Sequence, residues 1–147
     1  MTVSLGYDYL IKKIPHRPPF LWLDRVVELT ATHIRAEKYL APDLDVFRGH
    51  YPEYPLMPGV LLCEAVFQAG AVLIAEAAAE EKGNTGVPVL ARIQGARFKR
   101  EVRPGQTIDI RAQLKEKVGS AWFLKGSVRI ESGTAVQVVF SCALQED

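Results

Sequence analysis

Apolar and polar residues alternate along the last third of the chain, in three segments separated by Gly119-Ser120 and Ser132-Gly133. A period of two is typical of strands that bury one face, and Gly-Ser pairs are typical of tight turns. We therefore predict a meander of half-buried antiparallel strands. Its apolar positions are Ile108, Ile110, Ala112 and Leu114, then Trp122, Leu124, Val128 and Ile130, then Val136, Val138, Phe140, Cys142 and Leu144.

The segment from Val60 to Ala79 is almost continuously apolar and as long as a membrane span. It carries Glu64, Gln68 and Glu76, however, and carboxylates are costly within a bilayer. A helix that the rest of the protein buries on nearly all sides explains this composition better, so we predict no membrane insertion. Small residues along the helix would let strands approach it closely: Ala65, Ala69, Gly70 and Ala75.

The first half of the chain predicts shorter elements. A short helix near Tyr7–Lys13 ends before Pro15, and Pro58-Gly59 opens the long apolar helix. The other predicted elements are strands at Leu21–Leu29 and His33–Leu40, an irregular stretch from Ala41 to Met57, and a loop at Gly83–Gly86. A sheet wrapped around the long helix would bury both apolar surfaces, so we predict an α+β fold in one domain spanning residues 1–147.

Composition excludes several classes of function. The formal net charge is +1, from 18 basic and 17 acidic residues, whereas nucleic-acid-binding proteins usually have a strong basic excess. Neither metal-ligand spacing nor a Gly-rich phosphate loop is present, so we expect neither a metal nor a nucleotide cofactor. Cys63 and Cys142 lie among apolar residues and are expected to be buried, reduced thiols. The first residues lack a signal-peptide pattern, which predicts a cytoplasmic location.

A histidine, a proline-rich loop and a carboxylate follow one another between Gly49 and Gln68. Taken alone, His50 is an ordinary loop histidine and Gly59 an ordinary turn residue. Glu64 is harder to explain, because a carboxylate among Leu, Cys, Ala and Val must be protonated or paired. Gln68 lies one helical turn later and can hydrogen-bond Glu64, so a purely structural polar pair is an alternative.

Together these residues suit the elimination of water from a 3-hydroxyacyl thioester. The first N–H groups of a helix lack internal partners and lie at the positive end of its dipole. Gly59 leaves room there for a thioester carbonyl, whose developing negative charge would be stabilised. His50 can remove a proton from the carbon next to that carbonyl. Glu64, in apolar surroundings, tends to keep its proton and can donate it to the leaving hydroxyl.

The same segment resembles the signature of the 3-hydroxyacyl-[acyl-carrier-protein] dehydratases of the FabZ type. That signature is Gly-His-Phe-Pro-x-x-Pro-x-x-Pro-Gly-Val followed by Glu-Ala-x-x-Gln, and this chain has Tyr51 at the aromatic position. Residues 15–26 and 96–105 resemble two further signatures of the family. The departures leave chain length and carrier recognition open, and they lie at Gln94-Gly95, at Glu101 and Arg103, and at residues 39–42.

The resemblance implies the hotdog fold, in which an antiparallel sheet wraps one long central helix. It implies that His50 and Glu64 form the catalytic pair and that the Gly59 N–H binds the thioester carbonyl, with Gln68 orienting Glu64. It also implies a homodimer that places the histidine of one subunit opposite the acid of the other, and trimers of such dimers are common in the family. Relatives that also isomerise the double bond carry Asp where this chain has Glu64.

The implied substrate is a 3-hydroxyacyl group on an acyl-carrier protein, in fatty-acid biosynthesis. A basic cluster, which comprises Arg97, Lys99, Arg100 and Arg103, predicts a docking patch for that acidic partner. The alternative is a solvated strand edge. His16 is expected to anchor its loop by hydrogen bonds rather than to take part in catalysis, and His33 is expected to be solvated.

Other functions compete with this interpretation. An acyl-thioester hydrolase is one, since many hotdog proteins have that activity, although it requires a positioned water. A dehydratase of a specialised lipid or polyketide pathway is another. A non-enzymatic acyl-binding module is the third, and the presence of both His50 and Glu64 argues against it. Whether the acyl group arrives on a carrier protein or on coenzyme A stays open.

Overall fold

The computed structural model describes residues 2–79 and 86–145, and the strands in this part of the chain form one antiparallel sheet. The helices are α1 (Tyr7–Lys13), α2 (Asp45–Gly49) and α3 (Gly59–Ala79). The strands are β1 (Thr2–Leu5), β2 (Arg25–Leu29), β3 (His33–Tyr39), β4 (Val87–Phe98), β5 (Thr107–Val118), β6 (Ala121–Ile130) and β7 (Gly133–Gln145). Their spatial order is β1-β2-β3-β5-β6-β7-β4, so β1 and β4 are the edges of the sheet.

The alternation in the last third of the chain forms β5, β6 and β7, as predicted. Every second residue of these strands points inward, and Ile110, Leu124 and Phe140 are completely buried. Gly119 makes the turn between β5 and β6 at a φ of 60°, a conformation that glycine adopts without steric cost. The side-chain period of the sequence therefore sets which face of the sheet covers the core.

The central helix α3 packs against the inner face of the sheet and contacts β3, β4, β5, β6 and β7. Gly70 is one reason for the close approach, because a β-carbon there would lie 3.0 Å from Phe140 Cζ and 3.3 Å from Leu124 Cδ2. By length and composition alone α3 could cross a bilayer, but 67% of its most apolar window is buried inside the structure. The predicted α+β arrangement of a sheet around a buried helix is confirmed.

The segment before β2 differs from the prediction. The strand expected at Leu21–Leu29 begins only at Arg25. Leu21, Trp22 and Leu23 are all buried, with relative exposures of 6%, 5% and 2%. Three consecutive buried side chains do not fit a strand with one solvent-exposed face, and residues 21–24 form an irregular segment.

Two strands and one helix were not predicted. The β4 strand is exposed at nearly every position along its length, so its sequence shows no alternation that could reveal it. The helix α2 is only one turn long and interrupts the irregular stretch at Asp45–Gly49, and β1 is a short edge strand. Of the predicted loop at 83–86, residues 83–85 lie outside the described residues. Cys63 and Cys142 are buried and free, as expected.

Candidate active site

His50 lies directly after α2, and its backbone N–H donates to Val46 O at 3.0 Å. The side chain is partly buried, with Nδ1 2.9 Å from the carbonyl oxygen of Leu56. A carbonyl oxygen can only accept a hydrogen bond, so Nδ1 carries the hydrogen and the neutral ring keeps its lone pair on Nε2. The contact therefore leaves Nε2 as the basic nitrogen of His50.

The loop after His50 is held at several points. Met57 N donates to Val102 O at 2.8 Å, and the Tyr54 hydroxyl donates to a carboxylate oxygen of Glu101 at 2.7 Å. Tyr51 has a φ of 62°, which is rare for a residue with a side chain, and its ring stacks on the imidazole of His50 at 4.3 Å. These contacts fix the carbonyl of Leu56, and through it the ring of His50.

The helix α3 begins at Gly59, as predicted. The Pro58 carbonyl accepts from Leu61 N at 3.0 Å and from Leu62 N at 3.2 Å, so the N–H groups of Gly59 and Val60 precede the first helical hydrogen bonds. A β-carbon on Gly59 would lie 2.6 Å from two ring carbons of Phe98. The absence of a side chain at Gly59 therefore leaves room for the ring of Phe98 at the start of the helix. The sequence did not indicate that this ring lies at the site.

Glu64 lies on α3 with its side chain 21% exposed. Gln68 Nε2 donates to Glu64 Oε2 at 2.9 Å, which confirms the contact expected from their spacing. Gln68 itself is completely buried, and its amide accepts from Trp22 N at 2.8 Å and donates to Phe20 O at 2.9 Å. The backbone on either side of Leu21 thereby fixes the orientation of the amide that holds Glu64.

His16 is the residue whose position differs most from the expectation. Its Nε2 lies 3.5 Å from Glu64 Oε2, so it contacts the candidate acid rather than serving as the loop anchor. Arg17 anchors the loop instead, because its guanidinium donates to the carbonyls of Ile11, Ile14 and His16. Burial lowers the pKa of His16, an effect that the charge of Glu64 opposes and that of Arg17 reinforces.

Glu64 also affects a thiol on the sheet. Burial, with a further contribution from the charge of Glu64, raises the pKa of Cys142 to about 12. Cys142 is therefore an inert thiol at physiological pH and not a candidate nucleophile. Burial also raises the pKa of Cys63, the other buried thiol of the core.

Within one chain, no hydrogen bond or ion pair is found between His50 and Glu64 among the described residues. Among the described residues, Glu64 contacts Gln68 and His16, whereas the ring nitrogen Nδ1 of His50 bonds to Leu56 O. A cavity of about 930 Å³ is lined by residues of the sheet, among them Arg35, Arg111 and Gln137, and its lining includes neither His50 nor Glu64. Across residues 2–79 and 86–145, no group of three or more His, Cys, Asp or Glu side chains could hold a metal ion.

The structure separates the members of the predicted basic cluster. Arg100 donates to Thr134 O at 2.8 Å, and Arg103 bonds to Glu101 and Tyr54 while its guanidinium lies 4.3 Å from the centre of the Tyr54 ring. Arg97 and Lys99 are exposed. All four cations are exposed, but Arg100 and Arg103 also bond within the chain, whereas no side-chain bond of Arg97 or Lys99 is found among the described residues.

Comparisons with known proteins agree on one family. The profile of the FabA-like domain matches residues 14–139. A 3-hydroxyacyl-[acyl-carrier-protein] dehydratase FabZ of Ralstonia nicotianae is 36% identical over 151 residues, covering 99% of this chain and 92% of the relative. A protein of the same name from Clostridium perfringens is 40% identical over 126 residues, covering 85% of this chain and 88% of the relative.

Solved structures share the fold. A subunit of the dehydratase heterocomplex ApeI:P from Xenorhabdus doucetiae has a TM-score of 0.76 at 17% identity, covering 94% of this chain and 91% of its own. The protein PH1136 from Pyrococcus horikoshii has a TM-score of 0.69 at 16% identity, covering 100% of this chain and 96% of its own. The predicted hotdog fold is confirmed by these likenesses.

Proposed function

The chain belongs to the FabA-like domain family, among the 3-hydroxyacyl-[acyl-carrier-protein] dehydratases of the FabZ type, and from this premise we propose how its residues carry out the reaction. The enzyme is a hydro-lyase that converts a 3-hydroxyacyl thioester into the trans-2-enoyl thioester and water, in fatty-acid biosynthesis. The reaction must remove a proton from C2, break the bond between C3 and its hydroxyl oxygen, and give that oxygen a proton.

His50 is the base of this reaction, and the observation that carries the proposal is its contact with the Leu56 carbonyl. Because that contact occupies Nδ1, the lone pair of Nε2 is free to take the proton from C2. The electron pair of the broken C–H bond forms the new double bond between C2 and C3. The first N–H groups of α3, at Gly59, bind the thioester carbonyl and stabilise the negative charge that develops on its oxygen.

Glu64 is the acid, and it protonates the leaving hydroxyl so that water departs. Gln68 holds the carboxyl group through Oε2, and the amide of Gln68 cannot rotate without losing its bonds to Trp22 N and Phe20 O. A fixed acid opposite a fixed base is what an elimination requires, since both proton transfers depend on short, defined distances.

The site is completed by a second copy of the chain. The edge strand β4 exposes large apolar side chains, which makes it a template for pairing with the same strand of a partner. A homodimer joined at this edge would place His50 of each subunit opposite Glu64 of the other, and three such dimers would form the larger assembly common in the family. The exposed apolar residues of β4 are Val87, Val89, Leu90, Ile93 and Phe98.

The acyl group arrives on an acyl-carrier protein, an acidic partner that Arg97 and Lys99 attract from the surface. We place the enzyme in the cytoplasm, where buried thiols such as Cys63 and Cys142 stay reduced. Residues 1–147 act as one dehydratase domain. The dehydration runs in reverse on a short enoyl thioester, which is then hydrated, and this gives a direct test.

In that test, purified protein is mixed with a crotonyl thioester and the absorbance of the conjugated double bond is followed. The parent should hydrate the double bond without releasing thiol, and His50→Ala should lower the rate by about a hundredfold to ten-thousandfold while the protein stays folded. His33→Ala is the matched control, since His33 is exposed and its ring hydrogen-bonds to the hydroxyl group of Thr30, outside the candidate site. Release of thiol would identify a hydrolase, and a parent that does neither would be an acyl-binding module.

A further inference from the structure

Two nitrogen atoms converge on one oxygen of Glu64. Gln68 Nε2 lies 2.9 Å from Oε2, and His16 Nε2 lies 3.5 Å from the same atom. No contact to Oε1 is found among the described residues. The two carboxyl oxygens of the acid are therefore in different environments, and chemistry at the carboxyl group must distinguish them.

The orientation of each nitrogen can be assigned from its other contacts. The amide of Gln68 accepts from Trp22 N through Oε1, so its nitrogen side faces Glu64 as a donor. His16 Nδ1 is buried without a partner, and a buried N–H without an acceptor is costlier than a buried lone pair. The hydrogen of the neutral imidazole therefore sits on Nε2, the nitrogen that lies 3.5 Å from Glu64 Oε2.

We propose that His16 is a positioning residue of the dehydratase, which donates its Nε2–H to Glu64 Oε2 and so reserves Oε1 for the proton given to the substrate hydroxyl. A proton on Oε2 would meet two N–H groups, whereas a proton on Oε1 meets none. The inference rests on the proposed role of Glu64 as the acid. It adds a second donor to the one that Gln68 provides.

A neutral imidazole suits this role better than a charged one. A cation beside Glu64 would hold the carboxyl group in its ionised form and leave it without a proton to give. Burial favours the neutral form of His16, and so does the neighbouring charge of Arg17, while Glu64 opposes both. After each turnover the Nε2–H of His16 stabilises the carboxylate of Glu64 until Glu64 regains a proton.

The position of His16 depends on the same segment that holds Gln68. Arg17 fixes the loop after α1 through backbone carbonyls, and the buried Leu21–Leu23 stretch fixes the other side. The irregular segment from residue 14 to residue 24 thus supplies both the side chain of His16 and the backbone partners of Gln68.

Two substitutions at this position test the inference by steady-state kinetics. His16→Leu removes the donor and should lower kcat about tenfold to a hundredfold with KM unchanged, the range expected for one hydrogen bond to a charged group. His16→Gln should keep kcat within about threefold of the parent, because a glutamine amide nitrogen reaches nearly the position of imidazole Nε2. Thermal unfolding of both variants reports whether the fold is intact.

A double-mutant cycle with Glu64→Gln separates positioning from a general structural effect. If His16 acts only through Glu64, His16→Leu should cause no further loss in the Glu64→Gln background. The inference is overturned if His16→Leu keeps kcat within twofold of the parent, if His16→Gln is as slow as His16→Leu, or if the loss is equal in both backgrounds. A parent that fails to hydrate a crotonyl thioester would instead overturn the dehydratase assignment, and the inference with it.

Discussion

Gln68 illustrates how an apolar helix accommodates polar side chains at the scale of single residues. It is completely buried, yet its amide bonds to Trp22 N, Phe20 O and Glu64 Oε2. A buried polar group left without partners would cost about 1–3 kcal/mol. The irregular segment before β2 supplies those partners from its backbone, which a regular strand would have used for its own ladder.

The pKa of His16 gives a prediction for stability. Its value in the folded protein lies below the ordinary 6.5, mainly through burial, so the unfolded chain binds more protons as the pH falls past that value. The contribution of neutral His16 to the free energy of unfolding is therefore fully present above about pH 6.5, and it is lost as the pH falls below that value. When the pH is lowered from about 7.5 to about 5.5, the free energy of unfolding measured with denaturant should fall less for His16→Gln than for the parent. Equal losses in the two proteins would contradict the assignment.

At this scale the sequence predicted contacts within one element better than contacts between elements. The pair of Glu64 and Gln68 followed from a spacing of one helical turn, and its geometry is confirmed. The contact between His16 and Glu64 joins a loop to a helix, and nothing in the local pattern around His16 indicates it. The hydrogen bond from His50 to Leu56 O was not predictable either, since it depends on the path of the loop between these residues.

At the scale of elements, the site depends on where the start of α3 meets the end of β4. Gly59 and Phe98 are in contact there, and a β-carbon on Gly59 would overlap two carbons of the Phe98 ring. The ring is 57% exposed in the single chain, so it can turn away from α3 without disrupting the core of that chain. A larger residue at position 59 would therefore change the space in front of the first helical N–H groups more than it would change the fold.

Gly59→Ala should accordingly impair catalysis while the protein stays folded. The added methyl group and the displaced Phe98 ring would obstruct the thioester carbonyl, and loss of one oxyanion contact typically costs about a hundredfold to a thousandfold in kcat. The melting temperature should stay close to that of the parent. Gly6→Ala is the matched control, since nothing lies within 4 Å of a β-carbon there. Full activity of Gly59→Ala would contradict the proposal that the first N–H groups of α3 bind the thioester carbonyl.

Elements with one buried face were predictable, and elements without one were not. β5, β6 and β7 alternate because one side covers α3 and the other faces solvent. The β4 strand has exposed residues on both sides within one chain, so its sequence carries no such period. If β4 pairs with a partner, the missing pattern has a physical explanation, since part of its environment belongs to another subunit.

At the scale of the whole molecule, all four members of the basic cluster are exposed, but among the described residues only two of them bond to the chain through their side chains. Arg100 and Arg103 bond to Thr134, Glu101 and Tyr54, whereas Arg97 and Lys99 extend into solvent. Charge reversal at Arg103 would disturb its contacts with Tyr54 and Glu101, and reversal at Arg100 would disturb its bond to Thr134, so either change would affect more than docking. Arg97 and Lys99 are therefore the better place to test recognition of the carrier, because their replacement breaks no side-chain bond found among the described residues.

Replacing both Arg97 and Lys99 by Glu should raise KM for a carrier-bound substrate and weaken its dependence on salt. Turnover of a small uncharged thioester should not change, because His50 and Glu64 are untouched. Lys12→Glu with Lys115→Glu makes the same change in charge at two exposed lysines on α1 and β5. If that control raises KM equally, net charge rather than a docking patch is responsible, and if neither variant does, the carrier docks elsewhere.

The central claim is that His50 and Glu64 act together across two subunits. His50→Ala and Glu64→Gln chains, each nearly inactive alone, are mixed after reversible dissociation, and hydration of a crotonyl thioester is measured. Random pairing makes half of the dimers mixed, with one intact site in each, so about a quarter of the parental activity should return. Mixing His50→Ala with the double variant should restore nothing. Failure to recover activity after verified subunit exchange would contradict the claim and would indicate that both residues act within the same chain.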